Sequence, residues 1–123
     1  MKILVIDDSG VMRRIHKNTL AEHDLSENDI IEAEDGRQAL NIANETDIGL
    51  FLIDWNMPKV DGLQLVRALR SMEKYKETPL IMITAEAAKY NVVEAIQEGV
   101  TNYIVKPISG DALWEKISKY IDS

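Results

Sequence analysis

Apolar residues gather along the chain in short, partly β-branched runs at positions 3–6, 50–53, 80–83 and 103–105. Each has the character of a strand buried on both faces. A weaker run, Ile30-Ile31 ahead of Glu32-Ala33-Glu34, is expected to be a fifth strand, second in chain order. Between the runs, apolar residues recur at helical spacing: Leu65, Leu69 and Met72, then Val92, Val93 and Ile96, then Leu113, Ile117, Tyr120 and Ile121. The punctuation agrees. Asp35-Gly36 and Asp61-Gly62 precede helical patterns, Gly99 stands where a left-handed helix cap belongs, and Ser109 is a candidate N-cap. Pro79 is expected at the first residue of a strand, where a missing N–H is tolerated. Strand and helix therefore alternate five times, which implies an α/β fold with a five-stranded parallel sheet, right-handed crossovers and helices on both faces.

Parallel strands all end on one edge, so residues just after the apolar runs meet there however far apart they lie in sequence. Those residues are Asp7-Asp8, Asp54, Thr84 and Lys106. The crevice at that edge is the ligand site of open α/β sheets. Three carboxylates gathered there repel one another, and a hard divalent cation with oxygen ligands relieves the repulsion while favouring phosphate oxygens. Mg²⁺ is the natural cation. A carboxylate nucleophile beside it can form an aspartyl-phosphate, with the metal and Lys106 offsetting the charge on the transferring phosphoryl group.

Composition narrows the partners. The 123 residues are expected to form one domain, 1–123, with no output domain. They carry 21 Asp and Glu against 14 Lys and Arg, so the chain lacks the broad positive field that holds proteins on nucleic acid or anionic lipid. Cysteine is absent, which excludes disulfides and thiolate chemistry. The apolar opening run ends at Asp7, too early for a signal peptide or a membrane span. A cytoplasmic monomer is the expectation.

Each polar residue taken alone has a plainer reading. Asp7-Asp8 can be helix-capping turn residues, Thr84 a strand-end hydroxyl, Lys106-Pro107 an ordinary loop and Tyr103 a half-buried strand aromatic. Trp114 is expected to be partly buried, and Met12, Met57, Met72 and Met82 to fill packing gaps. His16 and His23 fall on polar positions of the first helix and are expected in solvent, as are the acidic stretches 22–24 and 32–35. Asp54 resists such a reading, because a carboxylate directly after Leu50-Phe51-Leu52-Ile53 must be paired or bind metal.

The set Asp7-Asp8-Ser9, Asp54-Trp55-Asn56-Met57-Pro58 with Asp61-Gly62, Thr84-Ala85-Glu86, and Tyr103 ahead of Lys106-Pro107 resembles the receiver family of response regulators over essentially the whole chain. The resemblance implies a flavodoxin-like (βα)5 fold with strand order 2-1-3-4-5. That order puts Asp54 between the acidic pair and Thr84, with neighbouring strands about 4.8 Å apart. It further implies that Asp54 is the phosphoacceptor, that Asp8 binds Mg²⁺ directly and Asp7 largely through water, and that Asn56 adds its backbone carbonyl. Thr84 and Lys106 would meet the phosphoryl group, Thr84 and Tyr103 would act as the switch, and Asn56 and Glu86 would tune dephosphorylation. Partners implied are a histidine kinase as donor, a phosphatase, and a target, with the flagellar motor switch in chemotaxis as the leading use and a phosphorelay as the runner-up. The target surface is expected at Ala87, Lys89, Tyr90, Val92, Tyr103 and Lys116. Gly10, Val11 and Ile108 depart from residues common in the family without removing a site residue.

Other classes fit less well. A haloacid-dehalogenase-type aspartyl-phosphate hydrolase wants a second aspartate two residues after the first, where Ser9 stands. A nucleotide-binding enzyme lacks its glycine-rich loop after the first strand. The complete acidic site argues against a binding module that never takes phosphate.

Overall fold

The computed structural model describes residues 1–23, 25–55, 62–84, 89–106 and 109–121, with the side chains of residues 27, 84 and 89–92 outside that description. Strands β1 (Ile3–Ile6), β2 (Ile30–Ala33), β3 (Leu50–Asp54), β4 (Leu80–Thr84) and β5 (Asn102–Val105) alternate with helices α1 (Gly10–Glu22), α2 (Gly36–Glu45), α3 (Gly62–Arg70), α4 (Lys89–Glu98) and α5 (Gly110–Ile117). All pairings are parallel and the order is β2-β1-β3-β4-β5, as expected.

The strands read as continuous apolar runs because both faces of the sheet are covered. Side chains alternate between the two faces. Ile3, Val5, Leu50, Leu52, Ile81 and Ile83 form one core with Leu20 of α1 and Leu113 and Ile117 of α5. Leu4, Ile6, Phe51, Ile53, Leu80 and Met82 form the other with Ala39 and Ala43 of α2, Leu65 and Leu69 of α3, and Ala95 of α4. Tyr103 is half-buried against the second core, and Trp114 against the first.

The helix signals hold at named residues. Ser109 caps α5 by accepting the Ala112 N–H at 3.2 Å. Gly99 adopts φ 111°, the left-handed conformation that ends α4. Its carbonyl accepts from Arg70 Nε and Nη2 at 2.9 and 2.7 Å. Pro79 lies one residue before β4 rather than at its first residue, and its carbonyl accepts from the Phe51 N–H.

Three expectations about surfaces need correction. His16 is 2% exposed, because the inward face of α1 is the i, i+3, i+4 set His16, Thr19 and Leu20. The more apolar Val11 and Ile15 stay outside, at 70% and 46% exposure. His23, at the end of α1, is half-buried and stacks on Trp114 with ring centroids 4.1 Å apart. Asp35, read as solvated, is buried as the N-cap of α2, accepting the Gln38 N–H at 2.8 Å. Val93 and Ile96 fall in α4 as their spacing predicts, and are 47% and 55% exposed.

Tyr75 fastens the opposite edge of the molecule from the acidic residues. It is buried, its ring meets Phe51 edge-on at 5.0 Å, and its hydroxyl bonds the carbonyls of Ala43 and Thr46 while accepting from the Ile48 N–H. Tyr75→Phe keeps the ring and orphans these groups, so urea denaturation should show a loss of about 1–3 kcal/mol with an unchanged m-value.

Candidate functional site

β1 and β3 are neighbours at the point where strand order reverses, and the chain places acidic residues at the end of each. Asp54 is the last residue of β3 rather than the first after it, and is 6% exposed. Asp7 follows β1 and is 2% exposed, while Asp8 stands in solvent. One oxygen from each of the three lies within 4.8 Å of the others. Lys106, just past β5, reaches across β4 so that its Nζ is 3.4 Å from both Asp7 Oδ2 and Asp54 Oδ1. Because β4 lies between β3 and β5, the lysine stem spans two strand spacings, each about 4.8 Å, to make these contacts.

Local structure fixes these groups. Ser9 is the N-cap of α1, accepting the Met12 N–H at 3.2 Å, and its own N–H donates to Asp7 Oδ1 at 2.9 Å. The capping reading of the acidic pair is therefore partly true for Asp7, whose two oxygens are occupied by the Ser9 N–H and by Lys106. Asp8 is left facing outward. Arg13 Nη1 holds the Asp7 carbonyl at 2.6 Å while Arg13 Nε pairs with Glu32. Gly62 opens α3 directly beneath β3. A Cβ there would sit 2.7 Å from the Asp54 carbonyl oxygen and 2.9 Å from Trp55 Cα, so glycine alone lets α3 approach this closely.

Of the remaining expected residues, Thr84 ends β4 opposite Val105 of β5, so its backbone is beside the carboxylates. Tyr103, two residues before Val105, pairs with Met82. Lys116 is exposed on α5, and Lys89, Tyr90 and Val92 lie on α4 by backbone position. Asn56, Glu86 and Ala87 lie outside the described residues, as do Met57, Asp61, Pro107 and Ile108. Two features were missed. Gly62 was read only as punctuation, although a glycine opening a helix soon after a buried strand signals close packing. The exposed apolar residues Val93, Ile96 and Val105 were not placed on the target surface, although five apolar positions between 92 and 100 exceed what one core stripe can use.

The arrangement offers a hard cation three carboxylate oxygens, two of them from buried residues, with an ammonium alongside. That donor set suits Mg²⁺, which keeps several waters and takes few protein ligands. A surface concavity also runs along the outer face of α1, past Val11, Arg14 and Asn18, with Glu32 its one carboxylate among the described residues.

A parallel sheet in this order, with acidic residues at the ends of its first and third strands and a lysine after its fifth, is the architecture of a receiver. The chain belongs to the response regulator receiver domain family, which it matches over residues 3–118. It is 46% identical to a chemotaxis protein CheY homolog of Campylobacter jejuni over 118 residues, 95% of this chain and 89% of that protein. Against chemotaxis protein CheY1 of Helicobacter pylori it is 48% identical over 95% of this chain and 94% of the relative. The solved structure of Vibrio cholerae chemotaxis protein CheY4 superposes with a TM-score of 0.90 at 31% identity, over 98% of each chain.

Buried His16 makes stability depend on pH. Burial pushes its imidazole below the ordinary value of 6.5, nearby Asp7 opposes this, and Lys106 reinforces it. The folded form then binds the proton less readily than the unfolded chain, so the neutral ring's contribution is complete above the unfolded value of 6.5. It declines as pH falls below that value and is lost once pH has passed below the depressed folded one. Denaturation midpoints of wild type and His16→Leu between pH 8 and pH 5 should diverge in this sense, the wild type losing more stability on acidification.

Proposed function

We propose that this protein is a single-domain response regulator that accepts a phosphoryl group on Asp54 with Mg²⁺ and signals through its own surface. The observation that carries this reading is the convergence of Asp7, Asp8 and Asp54 with Lys106 at one strand edge. Asp8, exposed and uncommitted to the Ser9 turn, would bind the cation together with Asp54 and the Asn56 carbonyl, and Asp7 would act through water. When bound, the metal supplies charge neutralisation for the phosphoryl oxygens.

The chain's own residues do the rest. An Asp54 oxygen attacks phosphorus in line as the bond to the donor breaks. With a phosphohistidine donor the broken bond is P–N, and the imidazole leaves with the electron pair. Lys106 exchanges its contact with the Asp54 carboxylate for one with the incoming oxygens, where preorganised positive charge is most effective. Burial of Asp54 keeps bulk water from the new acyl phosphate, and Asn56 and Glu86 would govern the water that later hydrolyses it. The protein catalyses its own modification and otherwise acts as a signal carrier.

A histidine kinase is the donor class, and a phosphatase shortens the signal. The CheY relatives, of whose lengths this chain spans 89% and 94%, support use as a single domain 1–123 in chemotaxis, with the flagellar motor switch as target. The cytoplasm is the compartment. The phosphoryl group draws Thr84 inward at the end of β4, Tyr103 turns into the space released, and the surface of α4, β5 and α5 is repacked. There Tyr90, Val92, Val93 and Ile96 would anchor a target while Lys89 and Lys116 steer an acidic segment.

Incubation with acetyl phosphate and Mg²⁺ should add one phosphoryl group, located on Asp54 by mass spectrometry, absent without Mg²⁺ and absent in Asp54→Asn. Phosphate on Ser9 or Thr84 instead would overturn the assignment. For the switch, amide chemical shifts with beryllofluoride should move at Tyr103 and along 89–96 in wild type and much less in Thr84→Ala. Changes confined to residues near Asp54 in both proteins would exclude this coupling.

A further inference from the structure

Arg70, the last residue of α3, carries five N–H donors, and all of them are directed at neighbouring chain segments. Nε and Nη2 both donate to the Gly99 carbonyl, at 2.9 and 2.7 Å, and Nη2 also donates to Thr101 Oγ1 at 3.2 Å. Nη1 donates to the carbonyls of Tyr75, Lys76 and Thr78, at 2.8, 3.2 and 2.7 Å. No carboxylate is among these partners, so the guanidinium acts as a rigid fork that ties one backbone segment to another. Thr101 Oγ1 also accepts the Leu80 N–H at 3.0 Å, which brings the first residue of β4 into the same network. None of these groups takes part in phosphoryl transfer.

Gly99 is the residue at which α4 stops. Its φ of 111° ends the helix, its N–H donates to the Ile96 carbonyl, and the N–H of Val100 returns to the carbonyl of Ala95. The Arg70 stem lies so close that a Cβ on Gly99 would meet Cγ at 3.0 Å and Nε at 3.1 Å. Ala95 and Val100, on either side of the stop, are buried in the core. One turn earlier on α3, Arg67 pairs with Glu98 at 2.9 Å and stands 3.9 Å from Glu94, a second tie between α3 and α4. The carboxyl end of α4 is therefore fastened to α3, to the approach to β4 and to the residue before β5. A helix joining parallel strands starts at the edge where one strand ends and finishes at the edge where the next begins. The fastened end of α4 thus lies away from the carboxylates, and its first turn lies toward the edge where β4 ends at Thr84.

We propose that Arg70 makes Gly99 a pivot for α4: the carboxyl end of the helix stays fixed to α3 while the amino-terminal turns swing when Asp54 is phosphorylated. The swing rests on the switch reading above, whereas the fastening is a property of the unmodified protein. At about 1.5 Å per residue the 10 residues of α4 span about 15 Å, so a tilt of about 10° moves the first turn by roughly 2–3 Å. Ile96, three residues from the stop, moves by less than about 1 Å in the same tilt. The exposed apolar side of α4 then divides: Ile96 keeps its place in both states, and a target that tells the states apart must read the earlier turns.

Two measurements on the full chain separate the fastening from the swing. In unmodified protein, Arg70→Met should speed amide hydrogen exchange at Gly99, Val100 and Thr101 by roughly tenfold beyond the change at amides of β1, the effect of losing one hydrogen bond to a charged group. An increase no larger there than in β1 overturns the fastening, because Arg70 then serves only global stability. The second measurement is of N–H residual dipolar couplings in Mg²⁺ with and without beryllofluoride. In wild type the couplings along 89–98 should change together, as one rotated body, while those of Val100 and Thr101 keep their values relative to the sheet. In Arg70→Met those of Val100 and Thr101 should change as well. Helix couplings that stay constant while the amide shifts of α4 move mean translation and overturn the pivot, as does an Arg70→Met pattern identical to wild type. If beryllofluoride alters neither couplings nor shifts of α4 in wild type, the switch reading fails and the swing with it, and hydrogen exchange still decides the fastening. Should Arg70→Met not fold, Arg70→Lys, which keeps the charge and loses the fork, replaces it in both experiments.

Discussion

Two carboxylates, Asp7 and Asp54, are held out of water at the ends of neighbouring strands, and a single ammonium is shared between them at 3.4 Å. Buried like charges at this spacing are tolerable only with a counter-charge, and removing one partner of a buried pair costs far more than the pair contributes. Lys106 must therefore cross the end of β4, and everything that sets its reach matters. At 3.4 Å both contacts are longer than the usual range for charge-assisted hydrogen bonds. Asp8, in solvent and outside this arrangement, is the carboxylate with least to lose by binding metal.

The surrounding structure serves that edge. Ser9 turns the chain from β1 into α1 and occupies one Asp7 oxygen in doing so, and Arg13 ties the Asp7 carbonyl to Glu32 at the far side. On the other face Gly62 brings α3 against β3 so closely that no side chain fits between them. Gly110 brings the start of α5 close to Thr19 of α1, where a Cβ would lie 3.0 Å from Oγ1. Close packing of this kind transmits displacement rather than absorbing it.

The exposed surface is divided in character. Val93 and Ile96 on α4 and Val105 at the end of edge strand β5 stay in solvent in a protein of net charge −7, where scattered charge would favour solubility. Apolar residues left outside are what a reversible protein contact needs, because their burial supplies affinity. Arg67, paired with Glu94 and Glu98, connects α3 to α4 beneath this surface.

Much of this was legible along the chain because it depends on local pattern. Doubly buried strands must be continuously apolar, so 3–6, 50–53, 80–83 and 103–105 stood out, and residues at their ends had to meet at one edge; Gly99 and Ser109 announced helix ends through backbone freedom and capping chemistry. The motif set around Asp54 also identified the receiver family, since chemistry at one edge demands the same residue types at the same strand ends. Which way a helix turns its faces is a different matter. His16 is inside while Val11 and Ile15 are outside, and Asp35 is buried, because the packing of α1 on α5 and of β2 on its neighbours chooses the inward face from several of similar hydrophobicity. The loss of a Cβ at Gly62 and the sharing of Lys106 between two carboxylates also arise only when strands distant in sequence are brought side by side. The sequence by itself determined the elements and the chemistry at their ends; tertiary structure decided orientation and contact, because those depend on distances between segments that no local pattern encodes.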